Sequence, residues 1–177
     1  MLPRPYPHGV LLLLYVAAIT PALWITDLRQ RRLPNVLVLP GYGVAAVSLA
    51  LQWVFERHPP LTALLSGAAY FGFLFLLGLF GGMGGGDVKL AGVLGLAAGS
   101  VSATAAVVSP VGAFLLGGGA AVVAVARRAA AARRAAAGRR AALGRGQERS
   151  IPFGPFMLAG FWIAIVLALV SPGASST

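Results

Sequence analysis

Apolar runs about as long as a bilayer is thick dominate this chain and leave it few folds. A helix needs roughly 20 mostly apolar residues to cross the hydrocarbon core. Segment 9–26 comes close to that length, and segments 36–55, 61–80 and 151–170 match it. Segment 88–126 is too long for one crossing and carries Gly99, Ser100 and Ser102 near its first third, so it reads as two spans, about 88–99 and 102–126. The expected fold is all-α: a polytopic membrane bundle of about six transmembrane helices, forming one membrane-embedded domain over residues 1–177. Pro21 and Pro110 lie inside spans, which neighbouring helices and polar groups can tolerate. Composition agrees. The chain is 58% hydrophobic and only 10% charged, whereas a typical soluble domain is about 25% charged.

The basic residues supply a topology. Cytoplasmic loops accumulate Lys and Arg. Arg29, Arg31 and Arg32 follow the first span, Lys89 opens the fourth, and eight arginines lie within 127–149. With six spans and the N-terminus outside, these twelve residues all fall on the cytoplasmic side, and only Arg4 and Arg57 fall outside. Reading 88–126 as one span would send the eight arginines outward. Reporter fusions at Gln30 and Ala137 are therefore expected to report the cytoplasm, and fusions at Pro59 and Ser175 the outside. An external signal at Ala137 would break the six-helix reading. Residues 1–25 have some features of a secretory signal peptide, but three arginines follow the apolar run and one precedes it. That balance favours a retained helix.

A net charge of +10 suits an anionic surface. The Arg pairs in 127–149 recur every six residues, which leaves no single basic face on a helix. The segment reads as a solvated, partly helical loop that fixes topology and touches anionic lipid. No aromatic side chain interrupts it, so nucleic acid is not an expected partner.

Several chemistries are excluded by counting. There is no cysteine, hence no disulfide, thiolate metal site or cysteine nucleophile. His8 and His58 are the only histidines, too few for a histidine cage. No metal or cofactor is expected. The chain has four carboxylates. Glu56 and Glu148 sit in loops. Asp27 ends the first span and Asp87 opens the fourth, so both come to the cytoplasmic edge of the bilayer, where ionisable groups are functional candidates. Each could instead serve a structural end, Asp87 as a helix cap and Asp27 as a partner for Arg31 or Lys89.

Gly84, Gly85 and Gly86 precede Asp87. The run lacks the GxxxxGK[ST] and GxGxxG patterns of phosphate loops. Glycine permits close approach and unusual dihedrals, so the loop can let an extended peptide lie beside an acid; the plainer reading is a flexible connector. Two facing carboxylates share a proton. The ionised member can then activate water, and the protonated member can polarise a peptide carbonyl.

Three segments together resemble the type IV prepilin peptidases, membrane aspartyl proteases of the GxGD class. The stretch from Asp27 through Arg31, Arg32, Leu33, Pro34 and Asn35 is similar to the family's Asp, basic stretch and Ile-Pro-Asn, with Leu33 in place of Ile. Gly84-Gly85-Gly86-Asp87-Val88-Lys89-Leu90 resembles GxGD followed by x-Lys-Leu, and Gly95 and Gly99 continue its small-residue pattern. Ile151-Pro152-Phe153-Gly154-Pro155-Phe156 resembles the start of the family's last helix. The resemblance covers roughly 9–170. It implies Asp27 and Asp87 as the catalytic pair, and Gly84, Gly85, Gly86 and Lys89 as loop and substrate-binding residues. It further implies cleavage of prepilins or pseudopilins at the cytoplasmic face, after a glycine that ends a short basic leader, in the plasma membrane of a prokaryote. Bifunctional members carry a cysteine-bearing region and N-methylate the new terminus. This chain has no cysteine, so no methyltransferase activity is expected, and it looks like the short peptidases of tight-adherence pili. The Arg/Ala segment 127–149 departs from the family pattern.

Two other readings remain: a small transporter or channel using the acids as ion sites, and a non-catalytic pilus assembly factor. The first expects acids deep within spans and internal repeats, whereas these acids lie at span ends and the halves show no repeat.

Overall fold

The computed structural model describes residues 7–30, 33–80, 84–137 and 152–170, with side chains at 7, 8 and 134–137 left aside. Arg31, Arg32, Gly81, Gly82, Glu148, Ile151, Ser175 and the arginines at 139, 140, 145 and 149 lie outside the described residues. Among the described residues six helices follow one another: α1 (Pro7–Gln30), α2 (Asn35–Glu56), α3 (Leu61–Leu79), α4 (Gly85–Val101), α5 (Ala103–Ala137) and α6 (Gly154–Val170). No strand occurs among the described residues. The all-helical membrane bundle expected from the sequence is what the chain forms.

Helices α1, α2, α3 and α5 are long and apolar enough to cross a membrane; α6 is apolar but has 17 residues. Helix α4 also has 17 residues, a length of about 25 Å at 1.5 Å per residue. It is the core of the bundle. From Val88 to Ser100 only Lys89 and Leu96 escape full burial. A helix surrounded by protein on all sides need not match the lipid, and its side chains can be small. Glycines set how closely it packs. A Cβ on Gly95 would stand 2.8 Å from the Cα of Gly67 on α3, and one on Gly99 would stand 2.7 Å from the Cα of Ala63. The Gly95–Gly99 pair is a GxxxG spacing, which lets helix backbones approach within a membrane. Helices α5 and α6 meet in the same way, a Cβ on Gly112 falling 3.3 Å from the Cα of Gly160.

The break in the long apolar segment is narrower than expected. Gly99 and Ser100 stay in α4, and Ser102 alone separates the helices with an extended backbone, φ −167° and ψ 158°. Its N–H donates to the carbonyl of Ala98 at 3.1 Å, and its Oγ accepts from the Ala105 N–H at 3.0 Å. One serine thus closes one helix and caps the next. Helix α5 continues to Ala137, so the first half of the Arg/Ala segment is an extension of that helix. Polar bonds fix α1 between its neighbours: Tyr15 Oη donates to the Leu37 carbonyl at 2.6 Å, and Trp162 Nε1 donates to Thr20 Oγ1 at 3.1 Å.

Candidate active site

Asp27 lies on the buried face of α1. Leu12, Val16, Ile19 and Leu23 are the buried side chains before it, at spacings of three and four residues that keep them on one side of the helix. Asp27 comes one turn later and is only 5% exposed. A carboxylate taken out of water needs donors, and one comes from far along the chain. The Gly154 N–H, at the start of α6, donates to Asp27 Oδ2 at 3.0 Å. First-turn N–H groups have no partner within their own helix, so Asp27 supplies what the α6 terminus lacks. Gly154 has to be small: a Cβ there would stand 2.8 Å from Asp27 Oδ2.

Asp87 sits in the first turn of α4 and is half-buried. The structure puts the two aspartates at the same end of the bundle, close enough for Asp27 to act electrostatically on Asp87. Leu33 lies between their supports. A Cβ on Gly86 would stand 2.9 Å from Leu33 Cβ, and a Cβ on Gly154 would stand 3.5 Å from Leu33 Cδ2. The α1–α2 connection therefore packs against the starts of both α4 and α6.

The glycine run differs from the expected loop. Gly84 is the N-cap of α4, at φ −75° and ψ 143°, and its carbonyl accepts from the N–H groups of Asp87 at 3.0 Å and Val88 at 3.3 Å. Gly85 and Gly86 are already helical. None of the three has a positive φ, so unusual dihedrals are not why glycine stands here. Close approach is the reason at Gly86, while Gly85 has no neighbour within 4 Å. Lys89 is tied to the first motif: its Nζ donates to Asn35 Oδ1 at 3.1 Å, and its carbonyl accepts from Tyr42 Oη at 2.8 Å. That pair of bonds braces α4 against the start of α2.

The sequence reading left Gly154, Leu33, Asn35 and Tyr42 out of the site. Leu33, Asn35 and Gly154 belong to motif segments noted there, so the signal was present without the role. Tyr42 carried no signal. Among the described residues, no three His, Cys, Asp or Glu side chains gather where they could hold a metal ion.

The six helices and their long apolar stretches describe a helical membrane protein, with Asp27 and Asp87 at one end of the bundle. The model of the type IV leader peptidase family matches residues 11–125, and the chain belongs to that family. It is a membrane peptidase by that membership. The match takes in α1 to α4 and most of α5, hence both aspartates, and stops before α6 and Gly154. No curated protein and no solved structure matches the chain.

Proposed function

We propose that this protein is an aspartic endopeptidase that removes the leader from type IV prepilin-like precursors, of the tight-adherence pilus type, at the cytoplasmic face of a prokaryotic plasma membrane. The observation that carries this reading is the meeting of Asp27 and Asp87. One is buried on α1 against the first N–H of α6, the other stands in the first turn of α4, and Leu33 packs against the glycines beside both, Gly154 and Gly86. The Gly154 bond holds the Asp27 carboxylate in one orientation, and the Lys89–Asn35 bond steadies the turn that carries Asp87.

The pair shares one proton. Its ionised member takes a proton from water as the water oxygen attacks the peptide carbonyl. Its protonated member gives a proton to the carbonyl oxygen. Collapse of the tetrahedral species breaks the C–N bond, and the amine leaves with a proton returned by the pair. The cut falls where a polar leader meets an apolar helix, so little helix has to unwind. Gly84, Gly85, Gly86 and Lys89 border the substrate at that point. Arg127, Arg128 and Arg133 stand exposed on the α5 extension and rest on anionic headgroups.

The test is co-expression with a small protein that has a basic leader, a glycine and one apolar helix, read by mass. Loss of the leader after the glycine is expected, without methylation of the new terminus. An unchanged mass with both proteins in the membrane would refute the assignment. Chelation by EDTA is expected to leave the cleavage rate unchanged. Inhibition that a metal salt reverses would point instead to a metal-dependent hydrolysis.

A further inference from the structure

A membrane-inserted substrate has to be held along its apolar helix as well as at the bond being cut. On one flank of the bundle α3 and α5 part and leave a groove of about 520 Å³, walled by Leu65, Ala69 and Phe73 from α3 and by Ala106, Val107 and Val111 from α5. Leu65 and Val107 are 67% and 63% exposed, so the groove opens toward lipid. Tyr70 also lines it. That side chain is 4% exposed, and its hydroxyl has no hydrogen-bond partner among the described residues. Buried hydroxyls are nearly always bonded, because leaving one unmade is costly. The hydroxyl is enclosed in the structure, so a polar group arriving with a ligand reaches it only when the groove wall opens, and then supplies the missing bond. Tyr70 is also close enough to Asp87 to feel its charge.

The groove has a direction. Helices α3 and α4 run antiparallel, Gly67 against Gly95 and Ala63 against Gly99. Carried on, that register sets Asp87 beside Phe75. Tyr70 is then about 7.5 Å further from the site end of the bundle, at 1.5 Å per residue. From Phe73 the groove follows α3 back to Thr62, about 17 Å or three helical turns. Its Phe73 end therefore lies about 3 Å along the bundle axis from the level of Asp87, and it runs away from that level toward the far end of the bundle. The chain that follows a cut at the cytoplasmic edge takes that same course.

We propose that the α3–α5 groove seats the first three turns of the apolar helix that follows the cut, and that the Tyr70 hydroxyl donates a hydrogen bond to a backbone carbonyl freed by unwinding just after the scissile bond. This rests on the leader-peptidase reading of Asp27 and Asp87. The groove is apolar where the substrate helix is apolar, and its orphaned hydroxyl lies at the end where the substrate backbone has to unwind.

The chain has no cysteine, so crosslinking is clean. In an Asp27→Asn background, Val107→Cys is paired with a leader-bearing substrate that carries single cysteines along its apolar helix. Crosslinks are expected at every third or fourth position within three turns of the cut, and none from Val47→Cys on the exposed side of α2. Tyr70→Phe is expected to slow cleavage about tenfold, the effect of one hydrogen bond, with membrane level and thermal stability unchanged. Val107→Trp is expected to raise KM at least tenfold for the full substrate, and to leave cleavage of a short peptide without the apolar helix unaffected. Crosslinks that are absent, or equal from Val47→Cys, would show a groove occupied by lipid alone and overturn the proposal, as would wild-type cleavage by Tyr70→Phe. Failure of the underlying reading looks different: the unmodified protein would cleave no leader-bearing substrate at all.

Discussion

Replacing either Asp27 or Asp87 by Asn is expected to lower leader cleavage by roughly a thousandfold or more, while the protein still inserts and accumulates. Asn keeps the size of Asp. At position 27 it also keeps an oxygen that can accept the Gly154 N–H now bound at 3.0 Å, so the α1–α6 contact survives. What is lost is a group that can hold the shared proton in one state and release it in the next. Members of a unit that acts together are not additive, so the double variant should be little worse than either single one. The measurement is the fraction of substrate that loses its leader mass at matched membrane levels. More than a tenth of wild-type activity in either single variant would dismiss the paired mechanism.

Gly86→Val is expected to be nearly inactive, below about one hundredth of the wild-type rate, and Gly85→Ala to be close to wild type. The two glycines are adjacent, yet their surroundings differ. A Cβ on Gly86 would lie 2.9 Å from Leu33 Cβ and 3.5 Å from the Leu33 backbone N and O, whereas Gly85 has open space. Leu33 cannot yield at its backbone. The start of α4, carrying Asp87, would have to move away from α1 and Asp27, and a shift of about 1 Å in a catalytic group can cost a hundredfold. This accounts for the Gly86 effect by packing. If the glycines served chiefly to let substrate lie against them, exposed Gly85 would be the more sensitive position, and Gly85→Ala would be the damaging change. Assaying both variants with the same substrate and matched protein levels separates the two accounts.

Much of the architecture was legible in the chain. Apolar runs of bilayer length define helices because lipid offers no partner for a free N–H or C=O, so the helix count followed from the lengths of the runs and the small polar break near residue 100. The break was placed too broadly because Gly99 and Ser100 look like breakers in isolation. In the bundle Gly99 is held in α4 by its packing on Ala63, and only Ser102 leaves the helix. The glycine run misled in the same way. Three glycines suggest a loop, but the Asp87 and Val88 N–H groups bond to the Gly84 carbonyl and start a helix there.

The aspartates could be singled out because a chain with four carboxylates has few to choose from, and the basic residues set these two at the same expected edge; Glu56, read as a loop residue, is instead the last residue of α2. By itself the sequence determined the helices, the family resemblance and the two acids at one membrane edge, since each depends on local composition or short-range spacing. Tertiary structure alone decided what surrounds the acids. Asp27 meets an N–H 127 positions away, Leu33 fits against both Gly86 and Gly154, and Tyr70 lines a groove between α3 and α5 while its buried hydroxyl has no partner among the described residues. Hydrophobic periodicity tells which side of a helix turns inward. It does not tell which helix lies against that side, because the partner is chosen by the summed packing of the whole bundle.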